Sequence, residues 1–135
     1  MIEHRVNRSI CHASIGTNDL QRAKTFYQPI LAVLGIELVS SYEHAIAFGK
    51  GYPEFWVQQP FDKKLASFGN GVHFGFVATS MEQVDQFYAI ALSLGGKCNG
   101  KPGGRIEYGE PYYGCFIIDH DGNKIEASYW RLDKK

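Results

Sequence analysis

Residues 12–27, HASIGTNDLQRAKTFY, align without a gap on residues 73–88, HFGFVATSMEQVDQFY. His12 meets His73, Leu20 meets Met81, and Phe26-Tyr27 meets Phe87-Tyr88; beyond the quoted stretches Leu31 meets Leu92 and Gly35 meets Gly96. A repeat of this length in a chain of 135 residues means two structural modules of similar build. Equivalent histidines, one from each module, can then face each other across a pseudo-twofold axis, which is a natural way to make a metal site.

Each copy reads as a strand followed by a helix. SICHASIGT (residues 9–17) and GVHFGFVAT (71–79) mix β-branched and small residues in short alternating runs, as a strand does. Asn18 or Asp19 caps the first helix, whose apolar stripe is Leu20, Ala23, Phe26, Tyr27, Ile30, Leu31 and Leu34, with Gly35 closing it. Pro29 falls inside that stripe and is expected to kink or crowd it. In the second copy Thr79 or Ser80 caps, Met81, Val84, Phe87, Tyr88, Ala91 and Leu94 form the stripe, and Gly95-Gly96 ends it. Three short apolar runs follow the first helix: IELVS, HAIAFG and PEFWVQ. After the second come KCNG, YYGCFIID and NKIEASYW, the last two joined at Asp121-Gly122, a strong hairpin-turn signal. Each half is therefore βαβββ. The second half is expected to carry a longer irregular loop around residues 100–111, and QPFDKKLASFGNG is the polar linker between the halves. The fold class is α+β: two tandem modules, 8–59 and 71–130, forming a curved mixed sheet around a cleft within a single domain.

The 14 basic and 14 acidic residues cancel, so no long-range field draws a polyanion, and a nucleic-acid partner is not expected. Cys11, Cys98 and Cys115 are odd in number and lack CxxC spacing, which argues against a disulfide framework and a thiolate zinc site. The N-terminal stretch MIEHRVNRSI is charged where a secretory segment would be apolar, and no run approaches the roughly 18 apolar residues of a membrane span. The expectation is a soluble, cytoplasmic protein. Aromatic residues make up 14% of the chain, and many (Phe55, Trp56, Phe61, Phe68, Tyr108, Tyr112, Tyr113, Phe116) fall between or beyond the repeated segments, a placement that suits a lined pocket.

Side chains two apart on a strand share a face. In the last strand Ile125 and Ala127 fall on one face and Lys124, Glu126 and Ser128 on the other. A carboxylate in the middle of a half-apolar strand is costly unless it is paired, hydrogen-bonded or bound to a metal. Glu54 poses the same question at the end of module 1, where Trp56, on the same face, competes for the position. Both modules thus offer a histidine from the first strand and a carboxylate near the last. Two histidines, His12 and His73, with one or two carboxylates, Glu126 and Glu54, are the candidate metal ligands, able to hold a divalent first-row ion such as Zn, Ni, Fe, Mn or Co with positions left for substrate. Tyr112, Tyr113 and Trp56 are the substrate-binding candidates. His4, His44 and His120 sit in terminal or turn contexts and read as surface residues.

The paired βαβββ modules, HASIGTNDLQRAKTFY, GVHFGFVA and the ending DHDGNKIEASYW resemble the vicinal oxygen chelate superfamily, which holds glyoxalase I, extradiol dioxygenases, fosfomycin-resistance transferases and bleomycin-binding proteins. The resemblance covers nearly the whole chain. In the glyoxalase I branch a His and a Glu from each module hold the metal, by position His12, Glu54, His73 and Glu126 here. Two departures stand out: His120 replaces a usual proline, and PEFWVQQP does not place a glutamate cleanly in the glyoxalase register.

The resemblance implies a divalent-metal enzyme of glyoxalase type, a lyase or isomerase, in which the hemithioacetal of a thiol and a 2-oxoaldehyde becomes a thioester with Glu126 or Glu54 carrying the proton. An extradiol dioxygenase would use two His and one Glu on Fe(II), and a metal-free relative would instead sequester a planar drug-like molecule in its aromatic cleft. The sequence shows no identifiable glutathione clamp; Arg22, Lys50 and Arg105 are examples of basic residues available for one, and nothing singles them out. A small-molecule partner and a homodimer are the default expectations.

Overall fold

The computed structural model describes residues 9–105, 107 and 109–131; His4, Tyr108 and residue 8, where module 1 begins, lie outside them. The elements are β1 (Ala13–Gly16), α1 (Leu20–Val33), β2 (Glu37–Ser41), β3 (Ala45–Gly49), β4 (Phe55–Gln58), β5 (His73–Val77), α2 (Met81–Ser93), β6 (Lys97–Arg105), β7 (Gly109–Ile118) and β8 (Lys124–Trp130). They build two four-stranded mixed sheets of identical order, β1-β4-β3-β2 and β5-β8-β7-β6. In each, the first strand runs parallel to the last and the remaining pairs are antiparallel. The βαβββ plan of both halves is therefore as the repeat predicts.

The helix ends follow from their local chemistry. Asp19 accepts from the Arg22 amide and Ser80 from the Gln83 amide, each satisfying an amide that the first helical turn leaves without a partner. Both C-termini close in the same way: Ile36 N–H reaches Leu31 C=O and Gly35 N–H reaches Ala32 C=O, while Gly96 N–H reaches Ala91 C=O and Gly95 N–H reaches Leu92 C=O. Gly35 and Gly95 hold φ of 76° and 98°, which a Cβ would strain. Pro29 does not end α1; the helix runs through it to Val33. The expected irregular loop at 100–111 is mostly a long hairpin instead, since β6 continues to Arg105 and β7 begins at Gly109. Glycines at 100, 103, 104 and 109 read as loop in a sequence, yet here they occupy paired strands whose register shifts repeatedly.

One apolar core serves both modules. Ile15, Ile46, Phe48, Phe55 and Val57 from the first sheet, Cys115, Ile117, Ile125 and Ala127 from the second, and Phe26, Ile30, Leu31, Val84, Phe87 and Ala91 from the helices belong to one buried cluster. Phe55 meets Phe74 and Phe76 edge-on across the module boundary, with ring centroids 6.0 and 4.9 Å apart. The turn between β7 and β8 fastens module 2 to α1 and the residues just before it: Tyr27 Oη donates to Asp119 Oδ2 at 2.6 Å, Thr17 Oγ1 donates to Asp121 Oδ2 at 2.6 Å, and Arg22 pairs with Asp121 Oδ1 at 3.3 Å. Because each sheet turns its apolar face to this core, its alternate side chains point the other way, onto an outer face. The outer faces carry the chemistry.

Candidate functional site

On the second sheet the outer face is built by β5, β8 and β7. Parallel pairing sets Gly75 opposite Glu126, so His73, Gly75, Lys124 and Glu126 share that face, as alternation along β8 predicts; Ile125 and Ala127, on the other, are fully buried. His73 Nε2 lies 3.0 Å from Glu126 Oε1. The second carboxylate oxygen accepts from Tyr112 Oη at 2.6 Å. Gly75 leaves room for this arrangement, because a Cβ there would stand 3.2 Å from Glu126 Oε1. The carboxylate is thus held at both oxygens, with its side chain 12% exposed and that of His73 42% exposed. Such a half-exposed imidazole beside a fixed carboxylate can share a proton or a cation.

Tyr112 and Tyr113 part company by the same alternation. Tyr112 is 1% exposed beneath Trp130 and touches Glu126, whereas Tyr113 turns toward α2 and donates to Asp85 Oδ1 at 2.7 Å. The Asp85 hydrogen bond is the main reason that the Tyr113 phenol is pushed up to about 12. Of the two predicted cleft tyrosines, the structure places only Tyr112 at the site.

On the first sheet the outer face carries His12, Ser14, Ala45, Trp56 and Gln58 around a depression of about 240 Å³. Register decides which residue of module 1 corresponds to Glu126. Ser14 pairs with Trp56 as its repeat partner Gly75 pairs with Glu126, so Trp56 occupies the equivalent place and Glu54 corresponds to Lys124. Glu54 does not reach the His12 depression. It precedes β4, takes the Lys50 amide on Oε1 at 3.3 Å, and lines a separate cavity of about 450 Å³ with Ala13, Phe48, Lys50, Phe55 and Phe74. Trp56 stacks on Tyr42 with ring planes 14° apart.

The structure brings His73 and Glu126 together but leaves His12 on the other sheet. Among the described residues no three His, Cys, Asp or Glu side chains are grouped closely enough to share an ion. Two residues that the sequence reading names without a specific role stand beside the pair. Phe116 pairs with Glu126 across the β7–β8 ladder, and Lys124 precedes Glu126 by two on one face. Alternation along the last strand puts Lys124 on this face from the sequence alone; its closeness to Phe116 is what only the structure supplies. His120 is exposed, as expected of a surface residue, and its ring stands 5.4 Å from Phe26 with Nε2 2.9 Å from Leu94 O at the end of α2.

Comparison with known proteins gives a consistent outcome. The sequence profile described as Glyoxalase/Bleomycin resistance protein/Dioxygenase superfamily matches residues 9–127. A glyoxalase/bleomycin resistance protein from Albidiferax ferrireducens T118 is 32% identical, with 90% of this chain and 98% of that chain covered at a TM-score of 0.82. A glyoxalase-related enzyme from Fulvimarina pelagi (15% identity, 93% and 90% covered, TM-score 0.72) has the same fold. So does the fosfomycin resistance protein FosX from Listeria monocytogenes (17% identity, 93% and 96% covered, TM-score 0.67). No curated protein sequence matches.

Proposed function

The chain belongs to the glyoxalase/bleomycin resistance protein/dioxygenase superfamily, and from that premise we propose that it is a small-molecule enzyme whose reactive centre is a divalent ion held by His73, Glu126 and His12. The observation that carries this reading is the His73–Glu126 pair. A separation of 3.0 Å between Nε2 and Oε1 is close to that of neighbouring ligands around an ion bonded at roughly 2.0–2.2 Å. Two donors from one protomer fit; the third, His12, sits on the other outer face. A second copy of the chain, docking its first sheet against the second sheet of its partner, completes the set in a homodimer. Trp56 brings no ligand atom to the fourth place, so three protein donors leave the remaining positions to substrate and water.

When bound, such an ion polarises an oxygen of a substrate that chelates it through neighbouring oxygens and stabilises the negative charge that develops there. Tyr112 fixes the Glu126 carboxylate by donating to Oε2, and this second contact orients the pair. Glu126 is also the proton carrier beside the centre, held in place by the Tyr112 hydroxyl on Oε2. In the glyoxalase arrangement each module supplies a carboxylate; Trp56 in that register here favours chemistry run on two imidazoles and one carboxylate, of which an Fe(II) dioxygenase is the alternative to isomerisation of a 2-oxoaldehyde–thiol adduct. The stacked Tyr42–Trp56 pair supports a second reading, a flat aromatic wall that sequesters a planar molecule without metal.

Elemental analysis of protein purified without chelator separates these readings. The expected result is about one equivalent of divalent metal per protomer, lost in His73→Ala and in Glu126→Ala. Metal-free protein that retains a planar aromatic ligand sinks the enzyme reading and leaves sequestration. Because the two halves of each centre come from different copies, mixing His12→Ala with His73→Ala subunits should restore about a quarter of the sites under random exchange. Metal uptake that is complete in the monomer would remove the shared-site arrangement.

A further inference from the structure

We propose that Arg105 and Lys124 form an oxyanion subsite beside the His73–Glu126 pair, so that the substrate is a small molecule carrying a carboxylate or phosphonate group. The placement beside a reactive centre rests on the function proposed above; the subsite itself rests on its own geometry. Phe116 lies on the outer face opposite Glu126, and it is 7% exposed although it belongs to no part of the shared core. Its cover is charged. Lys124 Nζ stands 4.8 Å and Arg105 Cζ 5.5 Å from the ring centroid, with the His73 ring 5.9 Å away.

Two cations gathered on one ring repel each other, and among the described residues neither pairs with a carboxylate. The nearby Glu126 has both oxygens engaged by His73 and Tyr112. Attraction to the ring face offsets part of that repulsion, but it leaves the net positive charge in place. Three of the five guanidinium N–H groups of Arg105 meet the carbonyls of Lys101, Gly103 and Gly104, which fixes the group and leaves two donors. Gly100 is what admits this packing, since a Cβ there would come within 2.9 Å of Arg105 Nη2 and 3.0 Å of the Phe116 ring. Beside the pair, His73, Lys124, Ile118 and the linker around Phe68 and Val72 line a depression of about 300 Å³. A preorganised guanidinium with spare donors, an ammonium and a partly apolar hollow together suit an anion attached to a small organic body.

Benzoate, phenylphosphonate and the neutral benzamide are the probes, titrated by calorimetry into chelator-treated full-length protein. Wild type should bind the two anions in preference to benzamide, and more weakly as salt rises. Lys124→Met, which keeps a long stem over Phe116, should weaken anion binding by about tenfold, with Lys124→Arg restoring it and benzamide unaffected. Arg105→Lys checks the second cation without loss of charge, and should weaken benzoate more than phenylphosphonate if the planar fork reads a carboxylate. The proposal is overturned if benzamide binds as well as benzoate, if neither anion binds, or if Lys124→Met leaves anion binding unchanged. Metal content measured on the same Lys124→Met protein keeps the two ideas apart: lost anion binding with intact metal uptake supports the subsite, while absent metal uptake in wild type defeats only the reactive centre.

Discussion

Three tyrosines show how far a single residue's role depends on what it touches. Tyr27 is almost fully buried, and burial followed by the charge of Asp119 raises its phenol well above the usual range, so it stays a donor to that carboxylate. Tyr113 serves α2 through Asp85, and Tyr112 serves Glu126. Tyr112→Phe should therefore lower metal affinity by roughly 10–100-fold while the fold persists, measured by metal titration; an unchanged affinity would show that the Glu126 contact is incidental. Cysteines separate in the same way. Cys115 is fully buried, and burial pushes its thiol up to about 12, whereas Cys98 is exposed and its thiol is lowered, chiefly by the Tyr88 hydroxyl. Alkylation at pH 8 followed by mass spectrometry should label Cys98 and spare Cys115 until denaturant is added. Legibility at this scale was mixed: His73 and Glu126 were identifiable from alternation and repeat position, but the split between Tyr112 and Tyr113 needed the register of β7, and the place of Glu54 needed to know that β4 starts one residue later.

At the scale of elements the sequence is most explicit at helix ends. Gly35→Ala and Gly95→Ala put a Cβ on left-handed backbone at matching positions, and each should cost about 1 kcal/mol in urea unfolding. At Gly95 the His120 ring adds a clash, since a Cβ would stand 2.5 Å from it, so Gly95→Ala should be the more damaging of the two. Equal losses would mean that His120 moves aside freely. The hairpin β6–β7 is where the sequence reading was weakest. Its pairing depends on long-range partners in β8 and on irregular registers, and a run rich in glycine carries no local preference for strand over loop.

For the whole molecule, the two modules share a core that neither closes alone, and the 119–123 turn is fastened to the middle of α1 by Asp119 and to the residues around its start by Asp121. Asp121→Ala removes the partner of Thr17, the Asn18 amide and Arg22 together and should cost about 1–3 kcal/mol, read from the urea midpoint. Alkaline pH should loosen the same core. Cys115 and Tyr27 both titrate higher in the folded chain than unfolded, so the folded state binds more protons at high pH and stability falls as pH rises. For Cys115 the contribution is intact below about pH 9 and is lost toward about 12, and Cys115→Ala should flatten the decline between pH 9 and 11. No helix among the described residues is long and apolar enough to cross a membrane. By itself the sequence determined the duplicated βαβββ plan, the helix caps and the inward and outward faces of the last strand, because periodicity, capping and repetition are local properties of the chain. Tertiary structure alone decided that Trp56 stands where module 2 has Glu126, that His12 and His73 lie on separate outer faces, and that Arg105 and Lys124 gather on Phe116. Each of these depends on strand register and on which faces the shared core buries, and both are fixed by contacts between residues far apart in the chain.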